Sequence, residues 1–209
     1  MNKLLGRGIL LSYVTGRYHT PREEERVFMF LDLKSSTTIA EETDPTRYHN
    51  FLNEFFFDMN EPILETRGEI YQYVGDEVVI SWKMKDAIRD MNCVKCFFRI
   101  RRAILQKNDA YMKSYGLVPE FKAGLHCGKV IIGEVGDSKK DIVFHGDVMN
   151  TASRIQTQCN AFNVSLLISS ELLSRLRTDH AFKIERIGKI KLKGKQREVE
   201  LYSVSEADV

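Results

Sequence analysis

The sequence predicts an α/β (α+β) chain folded as a ferredoxin-like sandwich, a mainly antiparallel sheet with helices packed on it. Two observations predict this. Short apolar or alternating runs that read as strands are interleaved with longer stretches of helical periodicity, in the order strand, helix, hairpin, helix, hairpin. Hydrophobic residues make up 43% of 209, enough for one sizeable core and for one domain rather than two.

Residues 1–26 read as an N-terminal lead-in or connector, with "TPREEER" (20–26) marking its end by charge and composition. Arg7 splits its apolar part and no small-residue cleavage site follows, so a signal peptide is not expected. "VFMFLDL" (27–33) is continuously apolar up to Asp32, the pattern of a strand buried on both faces. Residues 35–67 open with hydroxyl-bearing cap candidates and carry Phe51, Leu52, Phe55 and Phe56 at helical spacing. "GEIYQYVGDEVVISW" (68–82) reads as two short strands joined by a tight turn at Gly75-Asp76. Residues 85–116 form a second long helical pattern with Ile88, Met91, Cys96, Phe97 and Ile100 inward. "EFKAGLHCGKVIIGEVG" (120–136) is read as a strand pair turning at Cys127-Gly128. "GDVMNTASRIQTQC" (146–159) is a helix, residues 181–204 close with two strands, and 205–209 are a tail.

Charge and cysteine usage exclude several function classes. Thirty-one Lys+Arg against 29 Asp+Glu leave a formal net charge of +2, so no nucleic-acid partner is expected. RNA binding by a sheet of this kind would use exposed aromatics, for which Tyr71 and Tyr73 are the candidates. Cys93, Cys96, Cys127 and Cys159 are too scattered for a disulfide scaffold, which points to reduced thiols in the cytoplasm. The lone CxxC of Cys93 and Cys96 reads as two helix positions one turn apart rather than half a zinc site. No segment approaches the ~20 apolar residues of a membrane span. His126 and His145 have no second ligand at metal spacing and read as packed or surface side chains. Trp82 and Phe55-Phe56-Phe57 read as core or dimer contact.

The carboxylates are more informative. Asp32 stands where the first strand gives way to a helix, and Asp76 at the tip of the next hairpin. Alone, each reads as a cap or a turn residue. On adjacent central strands the two would converge, and such a pair repels unless a divalent cation sits between. Ser35, Ser36 and Thr37 open the first helix, where free backbone N–H groups favour a phosphate. Together these suggest a nucleoside triphosphate. Strand alternation directs Glu77 away from the side that Asp76 faces.

In the order "FLDLKSST", "YVGDEVV", "FKAGLHCGKVIIGEVG", "GDVMNTASRIQ" and "LKGKQREVELYSV", the chain resembles the catalytic domain of the class III adenylyl/guanylyl cyclases. The resemblance runs from about Val27 to Val204 and implies a sandwich of the class III cyclase type over residues 27–204. It implies a homodimer with composite active sites between antiparallel partners, and conversion of ATP to 3′,5′-cyclic AMP and pyrophosphate with two divalent cations, Mg2+ or Mn2+. Asp32, Asp76 and the backbone carbonyl of Leu33 match the metal ligands. Asn150 and Arg154 match the pair that orients the ribose and stabilises charge on the α-phosphate. Lys195 matches the lysine that grips the triphosphate from the partner chain, although "KIKLKGKQR" also reads as a lysine-guarded strand edge. Lys122 stands where the family often has a phosphate-binding arginine and lacks its bidentate fork.

At the purine the chain departs from both family patterns, with Gln72 where adenylyl cyclases carry Lys and guanylyl cyclases Glu, and Val143 at the second specificity position. Gln72 offers a donor and an acceptor, and Val143 packs on the ring. No carboxylate stands ready for the guanine N1 and N2 protons, so ATP is the expected substrate. GTP or dual specificity, and a catalytically weak nucleotide-binding regulatory module, are the alternatives. A polymerase-like or diguanylate-forming palm shares the two-metal logic but has no use for the "GDVMNTASR" helix. The lead-in resembles a connector from an upstream sensor or membrane domain, should the chain be a fragment.

Overall fold

The first strand is the axis of the protein. In the computed structural model, which describes residues 18–138, 140–178, 180–194 and 197–207, β1 (Arg22–Leu33) pairs antiparallel with β3 (Glu77–Lys83) on one side and with β4 (Phe121–Val135) on the other. β2 (Glu69–Val74) pairs with β3, while β6 (Leu166–Ser169), β8 (Val199–Glu206) and β7 (Phe182–Ile190) extend the sheet beyond β4. The order is β2-β3-β1-β4-β6-β8-β7, with β5 (Asp141–His145) also pairing with β4. Pairing is antiparallel except for β4 with β6.

The unbroken apolar run of β1 feeds two cores. Val27, Met29, Leu31 and Leu33 face one cluster, where α2 (Pro45–Glu65) contributes Phe51, Phe55, Met59 and Ile63, and α4 (Asn92–Gln106) contributes Phe97 and Ile100. Phe28 and Phe30 face the other, with Val148 and Ala152 of α6 (Asp147–Ala161). Helices therefore cover both faces rather than one, which is why the strand alternates no polar residues through its centre.

Both long helical patterns are broken. α1 (Ser36–Glu42) ends at extended Thr43 (φ −123°), and α2 restarts at Pro45 behind Asp44, whose side chain accepts from the N–H of Thr46 (2.9 Å) and Arg47 (3.2 Å). An Asp cap followed by Pro at the first helical position outcompetes continuation. The second pattern divides into α3 (Met84–Ile88), a 3₁₀ turn at Arg89–Met91, α4 and α5 (Asn108–Tyr115). Cys93 and Cys96 are buried on α4, and all four cysteines are buried free thiols.

Cys127-Gly128 is not a turn, because β4 runs through it without interruption. Its glycines make room for α6. A Cβ at Gly128 would lie 2.8 Å from Val148 Cγ2, and one at Gly124 would lie 2.2 Å from the backbone nitrogen of Gln156. Glycine inside a strand here marks close approach of a helix.

Arg22–Arg26, which the charge pattern places in the connector, forms the first part of β1, paired with Gly128–Ile132. Arg26 is buried between Glu24 (3.0 Å) and Glu69 (2.7 Å), so its charge is matched inside the protein. Ahead of it, Tyr18 is buried and its carbonyl accepts from the N–H of Glu134. Residues 1–17 of the lead-in and 208–209 of the tail lie outside the described residues. No helix among the described residues is long and apolar enough to cross a membrane. A short helix, α7 (Ser170–Leu173), follows β6.

Candidate active site

Asp32 is the penultimate residue of β1, and register alone gives it two charged neighbours: Glu77 on β3 and Lys122 on β4. Directly opposed residues of an antiparallel pair share a face. Asp76 joins them from the β2–β3 turn, which Gly75 makes possible at φ 62°. Burial and then the hydrogen-bonded Asp76 carboxyl raise Asp32 above the ordinary carboxylate range, while Lys122, 3.3 Å from Asp32 Oδ2, opposes the rise. Tyr48 of α2 borders the cluster, its hydroxyl pKa raised by burial and then by Asp76 and Asp32.

Glu77 corrects the expectation from alternation. Asp76 belongs to the turn and not to the strand, so alternation does not separate them, and the register with Asp32 turns Glu77 into the acidic cluster. Its carboxyl is pushed up to about 7 by burial, then by Asp32 and Asp76, with Lys122 opposing. An acid whose folded pKa lies above its unfolded 4.5 contributes stability that is complete below 4.5 and is lost as pH rises through about 7. In metal-free protein, the fall in thermal midpoint between about pH 4.5 and about pH 8 should therefore shrink in Glu77→Gln. An equal fall in both proteins would place Glu77 in water.

Two residues that the sequence did not single out complete the cluster. Gln156 Nε2 donates to Asp32 Oδ2 at 3.0 Å, and Asn160 Oδ1 accepts from Lys122 Nζ at 3.1 Å. Both stand on α6, more than a hundred residues from Asp32 in sequence, and only the packing of α6 on β4 and β1 brings them there.

The donor set suits a hard divalent cation. Asp32 and Asp76 offer oxygen, Leu33 is buried and can offer only its backbone carbonyl, and two carboxylates close enough to repel gain from a cation between them. Among the described residues no group of three or more His, Cys, Asp or Glu side chains is arranged to hold a metal ion, so a cation at Asp32 and Asp76 would rely also on water or substrate oxygens.

Ser35 precedes α1 in the left-handed region (φ 56°), with no side-chain cap and no acidic residue in the helix's first turn. Ser35 and Thr37 are exposed and Ser36 is half-buried. Gln72 is exposed on β2 beside a register shift, and Val143 is half-buried on β5 opposite Gly133. Their neighbours Tyr71 and Phe144 pack edge to face at 4.8 Å, joining these two segments, and the Arg26 guanidinium lies 5.3 Å over the Phe144 ring.

Asn150 is exposed and Arg154 half-buried on α6, one turn apart on one side. Arg154 lies against the β7–β8 turn, where a side chain at Gly194 would begin 3.3 Å from its Nη2. Lys195 lies outside the described residues. Helical geometry turns Arg154 about 200° and Asn150 about 240° around the axis from Gln156. Because Gln156 touches Asp32, both residues project away from the Asp32 of their own chain.

Comparison with known proteins bears on the family and the fold. The profile of the adenylate and guanylate cyclase catalytic domain matches residues 19–206. Adenylate cyclase 2 of Rhizobium meliloti (strain 1021) is 38% identical over 205 residues, 98% of this chain and 56% of that protein. The chain thus spans little more than half of that relative's length. Among solved structures, the adenylyl cyclase CyaB from P. aeruginosa shares the fold at a TM-score of 0.77 and 23% identity, covering 90% of this chain and 97% of that one. A bacterial light-regulated adenylyl cyclase does so at a TM-score of 0.85 and 21% identity, covering 100% of this chain and 60% of that one. A profile match over nearly the whole length, on a sheet that delivers two aspartates to its rim, shows that the chain belongs to the family of adenylate and guanylate cyclase catalytic domains.

Proposed function

We propose that the chain converts ATP to 3′,5′-cyclic AMP and pyrophosphate at composite sites of a homodimer. The observation that carries this reading is the division of labour within one chain: Asp32 and Asp76 converge, while α6 turns Asn150 and Arg154 away from them. A complete site then needs two chains, one giving the acidic rim and its partner the Asn150–Arg154 side. Tyr73 and Val74, exposed apolar residues next to the Gly75-Asp76 turn, support a contact between chains beside the site. The adenylate cyclase name of the 38% identical relative supports the substrate.

In this reading Asp32, Asp76 and the Leu33 carbonyl hold two divalent cations, Mg2+ or Mn2+, which when bound neutralise the triphosphate and acidify the ribose 3′-hydroxyl. The Asn150 amide orients the ribose so that its 3′-oxygen faces the α-phosphorus in line. The 3′-oxygen forms a bond to phosphorus as its proton passes to water, and the bond from the α-phosphorus to the bridging oxygen breaks to release pyrophosphate. Arg154 donates to the α-phosphate oxygens as charge builds there. Lys195 and the N–H groups at Ser35, Ser36 and Thr37 hold the remaining phosphates, while Lys122, engaged by Asn160 and Asp32, adds positive charge beneath them. Gln72 pairs with the adenine edge and Val143 packs on its ring.

Guanine would bury its N1 and N2 protons without a carboxylate partner, at about 1–3 kcal/mol, so turnover of ATP should exceed that of GTP by about tenfold or more. Cyclic product measured for both nucleotides with magnesium and then manganese tests this. Equal or faster turnover of GTP would overturn the adenylate assignment. Nucleotide binding with no product from either would favour the regulatory module.

A further inference from the structure

The two sides of α6 do different work. Its buried side carries Gln156, only 3% exposed, whose amide donates to Asp32 Oδ2 at 3.0 Å. One turn later, Asn160 accepts from Lys122, and the same lysine nitrogen lies 3.3 Å from Asp32 Oδ2. The Gln156 hydrogen bond and the Lys122 ion pair thus meet on one carboxylate oxygen. The approach is fixed by the backbone, since any side chain at Gly124 would collide with the main chain of α6 at Gln156. Asp32 stands among two further acids, Glu77 directly opposite it on β3 and Asp76 in the adjoining turn, so like charge crowds its carboxylate and a hydrogen-bond donor is what can anchor it.

We propose that Gln156 is the positioning residue for Asp32: its amide sets the orientation of the carboxylate for a divalent cation, with Asn160 holding Lys122 in the same network. The proposal rests on the cyclase reading above and adds a connection to it. Asn150 and Arg154 stand on the other side of the same helix and serve the site completed by the partner's acidic rim. α6 therefore holds a metal carboxylate of one active site and the transition-state groups of the other, and links the two.

The first measurement is Mn2+ binding to the full chain without nucleotide, read from the electron paramagnetic resonance of free Mn2+. Outer partners of metal ligands matter about 10–100-fold in affinity. Gln156→Leu, and Gln156→Met of similar reach, should each weaken Mn2+ binding by about tenfold or more per folded molecule. A packing role alone would lower the thermal midpoint and leave that affinity unchanged, which would overturn the proposal. The second measurement uses a mixed dimer of Asp32→Ala chains with Arg154→Ala chains, which leaves one composite site. Gln156→Leu added to the chain with intact Asp32 should reduce cyclic product by about tenfold at limiting metal; added to the chain with intact Arg154, it should cost far less. Equal losses in both placements would show that Gln156 merely supports the helix. Wild-type chain that binds Mn2+ tightly but makes no cyclic nucleotide would sink the cyclase reading, while the Mn2+ comparison would still decide the role of Gln156.

Discussion

Asp32→Ala and Asp76→Ala should each lower turnover by about 10³-fold or more, because in the proposed mechanism each removes an oxygen ligand from a site whose chemistry is charge stabilisation. The two should part company in stability. Asp76→Ala relieves repulsion with Asp32 and Glu77, so the thermal midpoint of the metal-free protein should hold or rise. Asp32→Ala strands the Gln156 amide and the Lys122 ammonium, both largely buried, at about 1–3 kcal/mol, so its midpoint should fall. Asp32→Asn keeps an acceptor in place and separates loss of charge from loss of the contact. Calorimetry beside a product assay reads both effects. Substantial turnover in either alanine variant would remove that aspartate from the metal site.

Mixing inactive Asp32→Ala chains with inactive Arg154→Ala chains should restore activity. The mixed dimer pairs the intact acidic rim of one chain with the intact Arg154 of the other, while its second site lacks both. Random assortment makes half the dimers mixed, each with one working site of two, so recovery should approach about a quarter of the wild-type rate. The physical basis is the orientation of α6, which points Arg154 away from the Asp32 that the same helix touches through Gln156. Absence of recovery, with mixed dimers verified by mass, would mean that each chain completes its own site.

What was legible in the sequence followed from local pattern. The apolar run into Asp32 announced a strand buried on both faces, and Gly75-Asp76 announced a turn, since both signals depend on residues a few positions apart. Cys127-Gly128 misled because glycine has two uses: it was read as a turn, whereas Gly128 yields space to Val148 of a helix that follows later. "PREEER" read as a connector because its charge carries no sign of pairing, and the burial of Arg26 between Glu24 and Glu69 depends on β2, more than forty residues away. Glu77 was turned the wrong way by applying strand alternation across a turn. The contact of Gln156 with Asp32 left no local trace, because the helix periodicity that marks Gln156 as inward does not say which strand it meets. The β5 strand went unread because it is only five residues long, with an exposed polar residue at each end.

The continuity of β4 has a consequence for how such a domain can change over time. Its first part, Ala123–Leu125, bears β6 and through it β8 and β7; its later part, Ile131–Val135, bears β5 with Val143. Among the described residues these two wings share no ladder of hydrogen bonds; the strand between them and the packing of α6 join them. Val143 sits on one wing, whereas Asp32 is moored to the other flank of β4. A substitution at Val143 can therefore alter the β5 wing without breaking the ladder by which β1, with Asp32, holds to β4.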